Sequence, residues 1–189
     1  MRVHPIRCGF GIGFLIEADT GLFLVDSGTP GQEQHVLATM RALGREDLKV
    51  IWITHAHYDH YGSAAALRRL TGAHIGVHPA DAEAMTAGLS PLGSTRSYGF
   101  VYPVAQRLLN RIHPLPPTPP DFTLEDGQTL ELFGLNAQVL HTPGHTPGHT
   151  CLVLSEGTAF AADLISSNPR PRLQYLLATD WSQLADSLA

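Results

Sequence analysis

The sequence is poor in cysteine. Only two cysteines occur in 189 residues, Cys8 and Cys151, and each lies beside apolar sequence typical of a strand. Because they are far apart in the chain, we expect buried free thiols and not the disulfide framework of a small secreted domain.

Positive charge is also scarce. Twelve lysines and arginines stand against seventeen acidic residues, which gives a formal charge of −5, and the basic residues form no run. A nucleic-acid-binding protein normally carries a basic patch or stripe. Nucleic acid is therefore not expected as a partner. The expected partner is a small-molecule substrate.

Long apolar runs are missing as well. No stretch approaches the roughly 20 apolar residues of a membrane span, and residues 1–5 show neither the apolar core nor the cleavage pattern of a secretory signal. We expect no membrane association and a cytoplasmic protein. A hydrophobic content of 43% in 189 residues fits one globular domain, so residues 1–189 are predicted to be a single domain.

Strand and helix patterns alternate along the chain, which predicts an α/β fold. A hairpin is predicted around Asp19-Thr20-Gly21, and Gly9, Gly11 and Gly13 are interpreted as turn or close-approach glycines and not as a dinucleotide-binding loop. The predicted helices are 31–43, 63–70 capped by Ser63, and 79–87; the predicted strands are 14–18, 22–26, 50–53, 74–77, 129–133, 137–140, 151–154 and 158–161.

Residues 88–120 break this pattern with seven prolines. A long irregular segment inside a compact domain is usually functional or disordered. We predict that it is an insertion near the active site with a short helix over 104–112, and that it shapes a substrate pocket together with four tyrosines: Tyr58, Tyr61, Tyr98 and Tyr102.

The most informative segment is residues 54–62, Thr-His-Ala-His-Tyr-Asp-His-Tyr-Gly, directly after the apolar run 50–53. It carries three imidazoles and a carboxylate within six residues, the ligand types that zinc and similar divalent ions prefer. The alternate residues His55 and His57 and the adjacent pair Asp59 and His60 can point at two neighbouring ions from one loop. The segment therefore predicts a metal site at a strand end, formed by His55, His57, Asp59 and His60.

Two further segments follow predicted strands. Residues 141–149 read His-Thr-Pro-Gly-His-Thr-Pro-Gly-His, and this density of proline and glycine fixes an irregular loop that presents a side chain. Asp163 follows the apolar run 158–161. An isolated aspartate there would more simply cap a turn, but beside the other two segments it is interpreted as a carboxylate of the site.

In chain order, Asp26-Ser27-Gly28, the His-x-His-x-Asp-His motif, the Thr-Pro-Gly-His-Thr-Pro-Gly-His motif and Asp163 resemble the metallo-β-lactamase superfamily. The resemblance implies a four-layer αββα sandwich and a binuclear site, usually Zn²⁺, with iron or manganese as alternatives. It also implies the ligands: His55, His57 and His145 for the first metal, Asp59 and His60 for the second, and Asp163 as the bridge.

The same resemblance implies that Asp26 supports the histidine segment without touching metal. For His141 and His149, a supporting or substrate-contacting role and a purely structural one both stay open. His4, His35, His74, His78 and His113 lie in no ligand pattern, so surface or packing roles are expected for them.

The implied chemistry is hydrolysis of a small ester, lactone or thioester by a metal-bound hydroxide, with Asp59 accepting or relaying the proton. The sequence has no Gly-x-Ser-x-Gly elbow, and this chemistry needs no serine nucleophile. Two alternatives stay open. One is a mononuclear iron dioxygenase acting on a persulfide through His55, His145 and Asp163; the other is a degenerate, non-catalytic metal-binding module.

The sequence departs from the family pattern in two places. No histidine follows His149, although family members supply a further one after the bridging aspartate, and Ala162 stands where glycine is common. We expect a chain truncated at its C-terminus, within an amphipathic helix carrying Trp181, Leu184 and Leu188. A weakened second metal site and self-association into a homo-oligomer through an uncovered sheet edge are expected to follow.

Overall fold

The computed structural model describes residues 1–166 and 170–188. Its main sheet has six strands in the order β1-β2-β3-β4-β5-β7, antiparallel through β3 and parallel from β3 onwards. These strands are β1 (Arg2–Cys8), β2 (Gly11–Ala18), β3 (Gly21–Val25), β4 (Leu48–Trp52), β5 (His74–Val77) and β7 (Phe122–Thr123).

A second, three-stranded antiparallel sheet lies in the order β10-β9-β8. It consists of β8 (Ala137–His141), β9 (Thr150–Leu154) and β10 (Ala159–Phe160). Two short strand pairs complete the described part of the chain: β6 (Ser94–Thr95) with β13 (Leu177–Ala178), and β11 (Ile165–Ser166) with β12 (Arg172–Leu173).

Six helices accompany the sheets in the described residues. They are α1 (Glu33–Ala42), α2 (Tyr58–Tyr61), α3 (Ala64–Thr71), α4 (Pro79–Ala87), α5 (Tyr102–Ile112) and α6 (Trp181–Asp186).

Three apolar clusters show how the layers stack. Alternate residues of a strand point to opposite faces of its sheet, so Leu22 and Leu24 of β3 join a core with the helices α1, α3 and α4, while Phe23 and Val25 face the second sheet. A third cluster packs α6, through Leu184, on the outer side of the second sheet. The order helix, sheet, sheet, helix confirms the predicted α/β class and four-layer sandwich.

The predicted elements of the first half are largely confirmed, with small shifts at their ends. Ser63 does precede α3, but it does not cap it: its hydroxyl donates to the Thr29 carbonyl and accepts from the Gln32 amide. The predicted strand 129–133 is wrong, because residues Glu131–Phe133 form a 3-10 turn that ends at Gly134.

Two other expectations are corrected near the chain ends. The sequence reading missed β1, an edge strand that contains Pro5, a residue tolerated at sheet edges. In α6, Trp181 and Leu184 pack as expected, but Leu188 lies beyond the helix and is exposed. Cys8 and Cys151 are both buried free thiols, as expected.

The segment 88–120 is more ordered than a loop. It contains β6, a 3-10 helix at Ser97–Val101 and then α5, which begins two residues before the predicted 104–112. Residues 113–121 have no helix or strand. Across the described residues, no helix is long and apolar enough to cross a membrane.

Candidate metal centre

The loops that follow β4, β8 and β10 meet at one edge of the two facing sheets. The backbone amide of Thr150, at the start of β9, donates to the carbonyl of Thr54, just past β4, at 2.9 Å. This contact holds the two sheets together beside the site. It places the histidine segment 54–62 against the segment 141–149.

Three imidazoles converge at this edge. His57 Nδ1 lies 3.1 Å from His55 Nε2 and 3.0 Å from His145 Nε2. One carboxylate oxygen of Asp163 joins them, and the four ligand atoms all lie within 4.8 Å of one another. The three histidines are buried, whereas Asp163 is about one-third exposed at the edge of the group.

The outer nitrogens of two of these rings face backbone carbonyls. His57 Nε2 lies 2.9 Å from the carbonyl oxygen of Pro91, and His145 Nδ1 lies 3.1 Å from that of Leu177. A carbonyl can only accept a hydrogen bond, so each of these outer nitrogens carries the proton. The inner nitrogens of His57 and His145 therefore present lone pairs to the centre.

His55 is fixed in the same way by a hydroxyl. Thr54 Oγ1 lies 2.8 and 3.0 Å from the two oxygens of the Asp26 carboxylate and donates its proton there, so it accepts from Nδ1 of His55 at 3.1 Å. His55 Nε2 is thus also a lone pair. Three inward lone pairs cannot hydrogen-bond one another, and a cation is the partner that satisfies them together.

Electrostatics keeps these ligands neutral. Burial, reinforced by the neighbouring imidazoles, lowers the pKa values of His55 and His57 well below the usual histidine value. Neutral imidazole is the form that binds metal. The donor set of neutral His55 and His57, together with His145 and a carboxylate, therefore fits a divalent ion of the zinc type.

A second group of possible metal ligands, Asp59 and His60, lies beside the first group of three histidines and Asp163. His60 Nε2 is 3.5 Å from Asp163 Oδ1 and 3.9 Å from Asp59 Oδ1, while Asp163 Oδ2 is 3.3 Å from His145 Nε2. The two oxygens of Asp163 thus face the two groups. The structure brings together all six residues that the sequence predicted as ligands.

The charge state of the second group follows from its carboxylates. Burial alone would lower the pKa of His60, but the charges of Asp26, Asp59 and Asp163 outweigh it and raise that pKa well above the usual value. His60 Nδ1 donates to Asp26 at 2.8 Å. Asp26 thus holds the histidine segment through both Thr54 and His60 and stays outside the ligand sets, as its expected role requires.

Asp163 is not at a strand end. It sits in a 3-10 turn, Ala162–Leu164, just after β10, and Ala162 has φ of 42°, in the left-handed region. That conformation favours glycine, since a Cβ crowds the backbone there. The alanine at position 162, where glycine is common in the family, therefore carries backbone strain next to the site.

A cavity of about 230 Å³ opens onto the metal centre. Three of its lining residues belong to the centre: His57, Asp59 and Asp163. The other lining residues are Phe10, Tyr58, Ser90, Leu92, Tyr102, Ala105, Gln106, Leu109 and Leu177. A second space of about 250 Å³ lies on the other side of Asp59 and Asp163 and is bounded partly by Asp26, Thr54 and His60.

The four predicted pocket tyrosines divide into two pairs. Tyr58 and Tyr102 line the 230 Å³ cavity. Tyr61 is fully buried and donates to the Leu89 carbonyl, and Tyr98 pairs with the hydroxyl of Tyr175, so neither of them lines it.

His141 and His149 differ although they flank the same loop. His141 Nε2 donates to the Pro147 carbonyl, and its ring stacks on His78 with centroids 3.9 Å apart. His149 is fully buried; its Nδ1 contacts the Thr142 hydroxyl at 2.8 Å, and its Nε2 has no hydrogen-bond partner among the described residues. Burial lowers the pKa of His149 to about 3.

Sequence reasoning missed Asp81, on α4. Its buried carboxylate accepts hydrogen bonds from the Ala56 amide at 2.8 Å, the Thr146 hydroxyl at 2.7 Å and the Gly148 amide at 2.7 Å. One side chain thus ties both histidine-bearing loops together. An acidic residue in the first turn of a helix is common because it interacts favourably with the helix dipole, so Asp81 has no distinctive signal in the sequence.

Comparison with known proteins identifies the family of the chain. The sequence profile of the metallo-beta-lactamase superfamily matches residues 7–189. A hydroxyacylglutathione hydrolase from Pseudomonas aeruginosa is 32% identical over 116 residues, which cover 61% of this chain and 32% of that protein. A beta-lactamase-like protein 2 homolog from Drosophila melanogaster is 27% identical over 154 residues, 80% of this chain and 46% of its own length.

Solved structures of the same superfamily are also similar to this chain. A metallo-beta-lactamase from Cronobacter sakazakii superposes with a TM-score of 0.64 at 28% identity, covering 83% of this chain and 58% of that one. The chain spans about a third of the length of the hydroxyacylglutathione hydrolases it matches.

Proposed function

The chain belongs to the metallo-beta-lactamase superfamily, and from that premise we propose that it is a metal-dependent hydrolase of small esters, lactones or thioesters that uses zinc. The observation that carries the proposal is the convergence of three inward imidazole lone pairs and the Asp163 carboxylate at the floor of a cavity.

Two adjoining ligand groups support a binuclear centre. His55, His57 and His145 would hold one ion, and Asp59 and His60 the other, with an oxygen of Asp163 directed to each. When bound, such ions lower the pKa of a coordinated water and polarise the scissile carbonyl.

The chain's own side chains supply orientation and proton handling. The carbonyls of Pro91 and Leu177 and the hydroxyl of Thr54 hold the three imidazoles in the ligating tautomer. The carboxylate of Asp59 lines both the 230 Å³ cavity and the space beyond it. It is the base that would accept the proton of the attacking water and deliver it to the leaving group.

Tyr102 supplies a donor on the opposite wall. Burial, with the charges of Asp59 and Asp163, raises the pKa of its phenol, so the hydroxyl is protonated at neutral pH. It can donate a hydrogen bond to a substrate oxygen held above the metal centre. A donor at that point helps to orient the ester before attack.

The iron-dioxygenase alternative uses only His55, His145 and Asp163. In this structure His57 Nδ1 lies 3.1 Å and 3.0 Å from the inner nitrogens of His55 and His145, and the Pro91 carbonyl fixes its tautomer for ligation. A third oriented imidazole supports the hydrolase over a triad of two histidines and one carboxylate.

The test combines metal analysis with a substrate panel. We expect protein purified without chelator to carry zinc and to hydrolyse aryl esters, thioesters or lactones, and chelation to abolish the activity. Asp59→Asn should lower kcat at least ~100-fold, the lower end of the range for a proton-transfer group, while retaining the metal of the first group. Asp19→Asn, in the exposed β2–β3 turn, is the matched control.

Iron as the purified metal would contradict this proposal. So would a complete panel of esters, thioesters, lactones and phosphodiesters with no turnover by zinc-loaded protein, which would favour the non-catalytic module.

A further inference from the structure

We infer that the 230 Å³ cavity selects substrates that place a small, uncharged, mainly apolar group beside the scissile carbonyl, and that Leu109 of α5 sets this preference. The inference rests on the proposed hydrolase function and specifies its substrate class. It separates this chain from the substrate that the name of its hydroxyacylglutathione hydrolase relatives states.

The part of the cavity wall that does not belong to the metal centre is mainly apolar. Its larger apolar and aromatic side chains are Phe10, Leu92, Tyr102, Leu109 and Leu177. Neither lysine nor arginine occurs among the residues that line the cavity. A carboxylate held against these side chains, away from the metal centre, would lose its hydration without gaining a counter-ion from them, and such burial is strongly unfavourable.

Two polar residues of the wall, Ser90 and Gln106, already hydrogen-bond each other. Gln106 Nε2 donates to the Ser90 carbonyl at 2.7 Å, and its Oε1 lies 3.4 Å from the Ser90 hydroxyl. That hydroxyl also accepts from the Tyr58 amide at 3.0 Å. Because Ser90 and Gln106 satisfy each other, they offer an anionic substrate group little in exchange for its water.

A nearby cation is also occupied elsewhere. Arg96 precedes the 3-10 turn that leads into α5, and its guanidinium lies over the Trp181 ring, 4.0 Å from the ring centroid. It does not line the cavity. Glutathione carries two carboxylates, and no side chain that lines the cavity supplies a cation to pair with either.

The size of the cavity limits the group it can hold. Pockets for drug-sized ligands range from about 300 to 1,000 Å³, and this one is smaller. A short acyl chain fits that volume better than a tripeptide does. Substrates with a neutral, compact apolar group are therefore expected to turn over best.

Neighbouring leucines on α5 allow a matched test. Leu109 lines the cavity and packs on the first core, whereas Leu108 is 58% exposed and lies outside the cavity. Leu109→Lys places a cation in the wall, and Leu108→Lys places the same cation on the surface of the same helix. Circular dichroism and thermal unfolding test whether both variants fold. If Leu109→Lys does not fold, Leu109→Gln takes its place.

The activity experiment compares the hexanoyl and succinyl thioesters of one neutral thiol, N-acetylcysteamine, and the hexanoyl thioester of glutathione. We expect kcat/KM for the neutral hexanoyl substrate to exceed that of either anionic one at least ten-fold. Leu109→Lys should reduce this ratio at least ten-fold, and Leu108→Lys should leave it unchanged. Equal turnover of the three thioesters, or equal effects of the two variants, overturns the inference.

Binding to the metal-free protein gives a readout that needs no catalysis. Ligand-observed NMR should detect heptan-2-one, a neutral ketone, and not 5-oxohexanoate, its anionic counterpart, and Leu109→Lys should abolish the difference. Ketone selectivity without any turnover would refute the proposed function and leave the cavity assignment standing. Turnover without selectivity would refute the cavity assignment and leave the proposed function standing.

Discussion

The ligand loops, residues 54–62 and 141–149, and the cavity wall, residues 89–112, face each other across one site but are built differently. In the ligand loops His55, His145, Thr146 and His149 are completely buried. In the cavity wall α5 has no fully buried residue, and Phe100, Val104 and Ile112 are each more than 60% exposed.

The two regions also differ in how they are attached. Asp81 and Asp26 together accept hydrogen bonds from both ligand loops and fix them to the sheets. The cavity wall contacts the ligand loops mainly at its beginning, where the carbonyls of Leu89 and Pro91 accept from Tyr61 and His57.

This difference indicates separate roles for the two regions, metal binding for the ligand loops and substrate selectivity for the cavity wall. A metal centre requires ligands held in one geometry by supporting hydrogen bonds, and the buried loops provide that. Regions with few buried contacts have low local stability and tolerate change. Substitutions in the ligand loops should therefore reduce metal binding, and substitutions in the cavity wall should change selectivity with the metal retained.

The largest expected effect comes from removing a ligand. His57→Ala or His145→Ala should lower metal affinity by more than ~100-fold, beyond the 10–100-fold typical of supporting residues. Phe100→Ala, in the cavity wall, is the control and should keep the wild-type metal content. Mass spectrometry of metal per chain is the measurement, and unchanged content in both histidine variants would refute the assignment of the first ligand group.

Next in size is the loss of the shared support. Asp81→Asn keeps the shape of the side chain but cannot accept all three of its hydrogen bonds, so metal affinity should fall ~10–100-fold with little change in fold. Glu83→Gln, exposed on the same helix, is the control. A competition titration with a chelating dye measures both variants. If Asp81→Asn loses stability but binds metal as the wild type does, its role is structural only.

The ligand residues could be predicted from sequence because each lies within a few residues of a strand end. The order of His55, His57, Asp59 and His60 along one loop limits where their side chains can reach. The parallel strands β3, β4 and β5 then bring their carboxyl ends to one edge. The composition of the loops and the alternation of strands therefore predicted the histidine segment as a metal site, whereas the ligand role of His145 and the bridging role of Asp163 came from the family resemblance.

The supporting contacts could not be predicted in this way. Asp81 reaches Gly148 across 67 positions of the sequence, and the carbonyls of Pro91 and Leu177 act through backbone atoms that every residue has. Such partners are fixed by tertiary packing. The strand predicted at 129–133 was wrong for a related reason, because Gly134, with φ of 91°, ends a tight turn that apolar periodicity does not reveal.

A smaller effect concerns acid stability of the metal-free protein. His149 has a folded-state pKa of about 3 against about 6.5 for an unfolded histidine, so below pH 6.5 the unfolded state binds the proton first. Its contribution to stability is complete above pH 6.5 and is lost as the pH falls, by up to about 1.4 kcal/mol per pH unit. The ligand loops, and not the cavity wall, should therefore make the fold acid-sensitive.

Urea unfolding between pH 8 and pH 4.5 measures this dependence. The free energy of unfolding of His149→Gln should fall less steeply with decreasing pH than that of the wild type, by about the amount that one histidine contributes. His113→Gln, exposed at the end of the cavity wall, should follow the wild-type curve. Identical slopes for the wild type and His149→Gln would show that this histidine does not stay neutral in the folded protein.

The smallest expected effect is a gain in stability at the strained residue beside Asp163. Ala162 has φ of 42°, which costs a residue with a Cβ about 1–2 kcal/mol, whereas glycine adopts it freely but loses about 0.5–1 kcal/mol more chain entropy on folding. Ala162→Gly should therefore raise the free energy of unfolding by up to about 1.5 kcal/mol. Ala161→Gly, at φ of −86°, relieves no strain and should lower it by about 0.5–1 kcal/mol. Opposite signs in denaturant unfolding would establish that the turn holding Asp163 is strained; a destabilised Ala162→Gly would show that it is not.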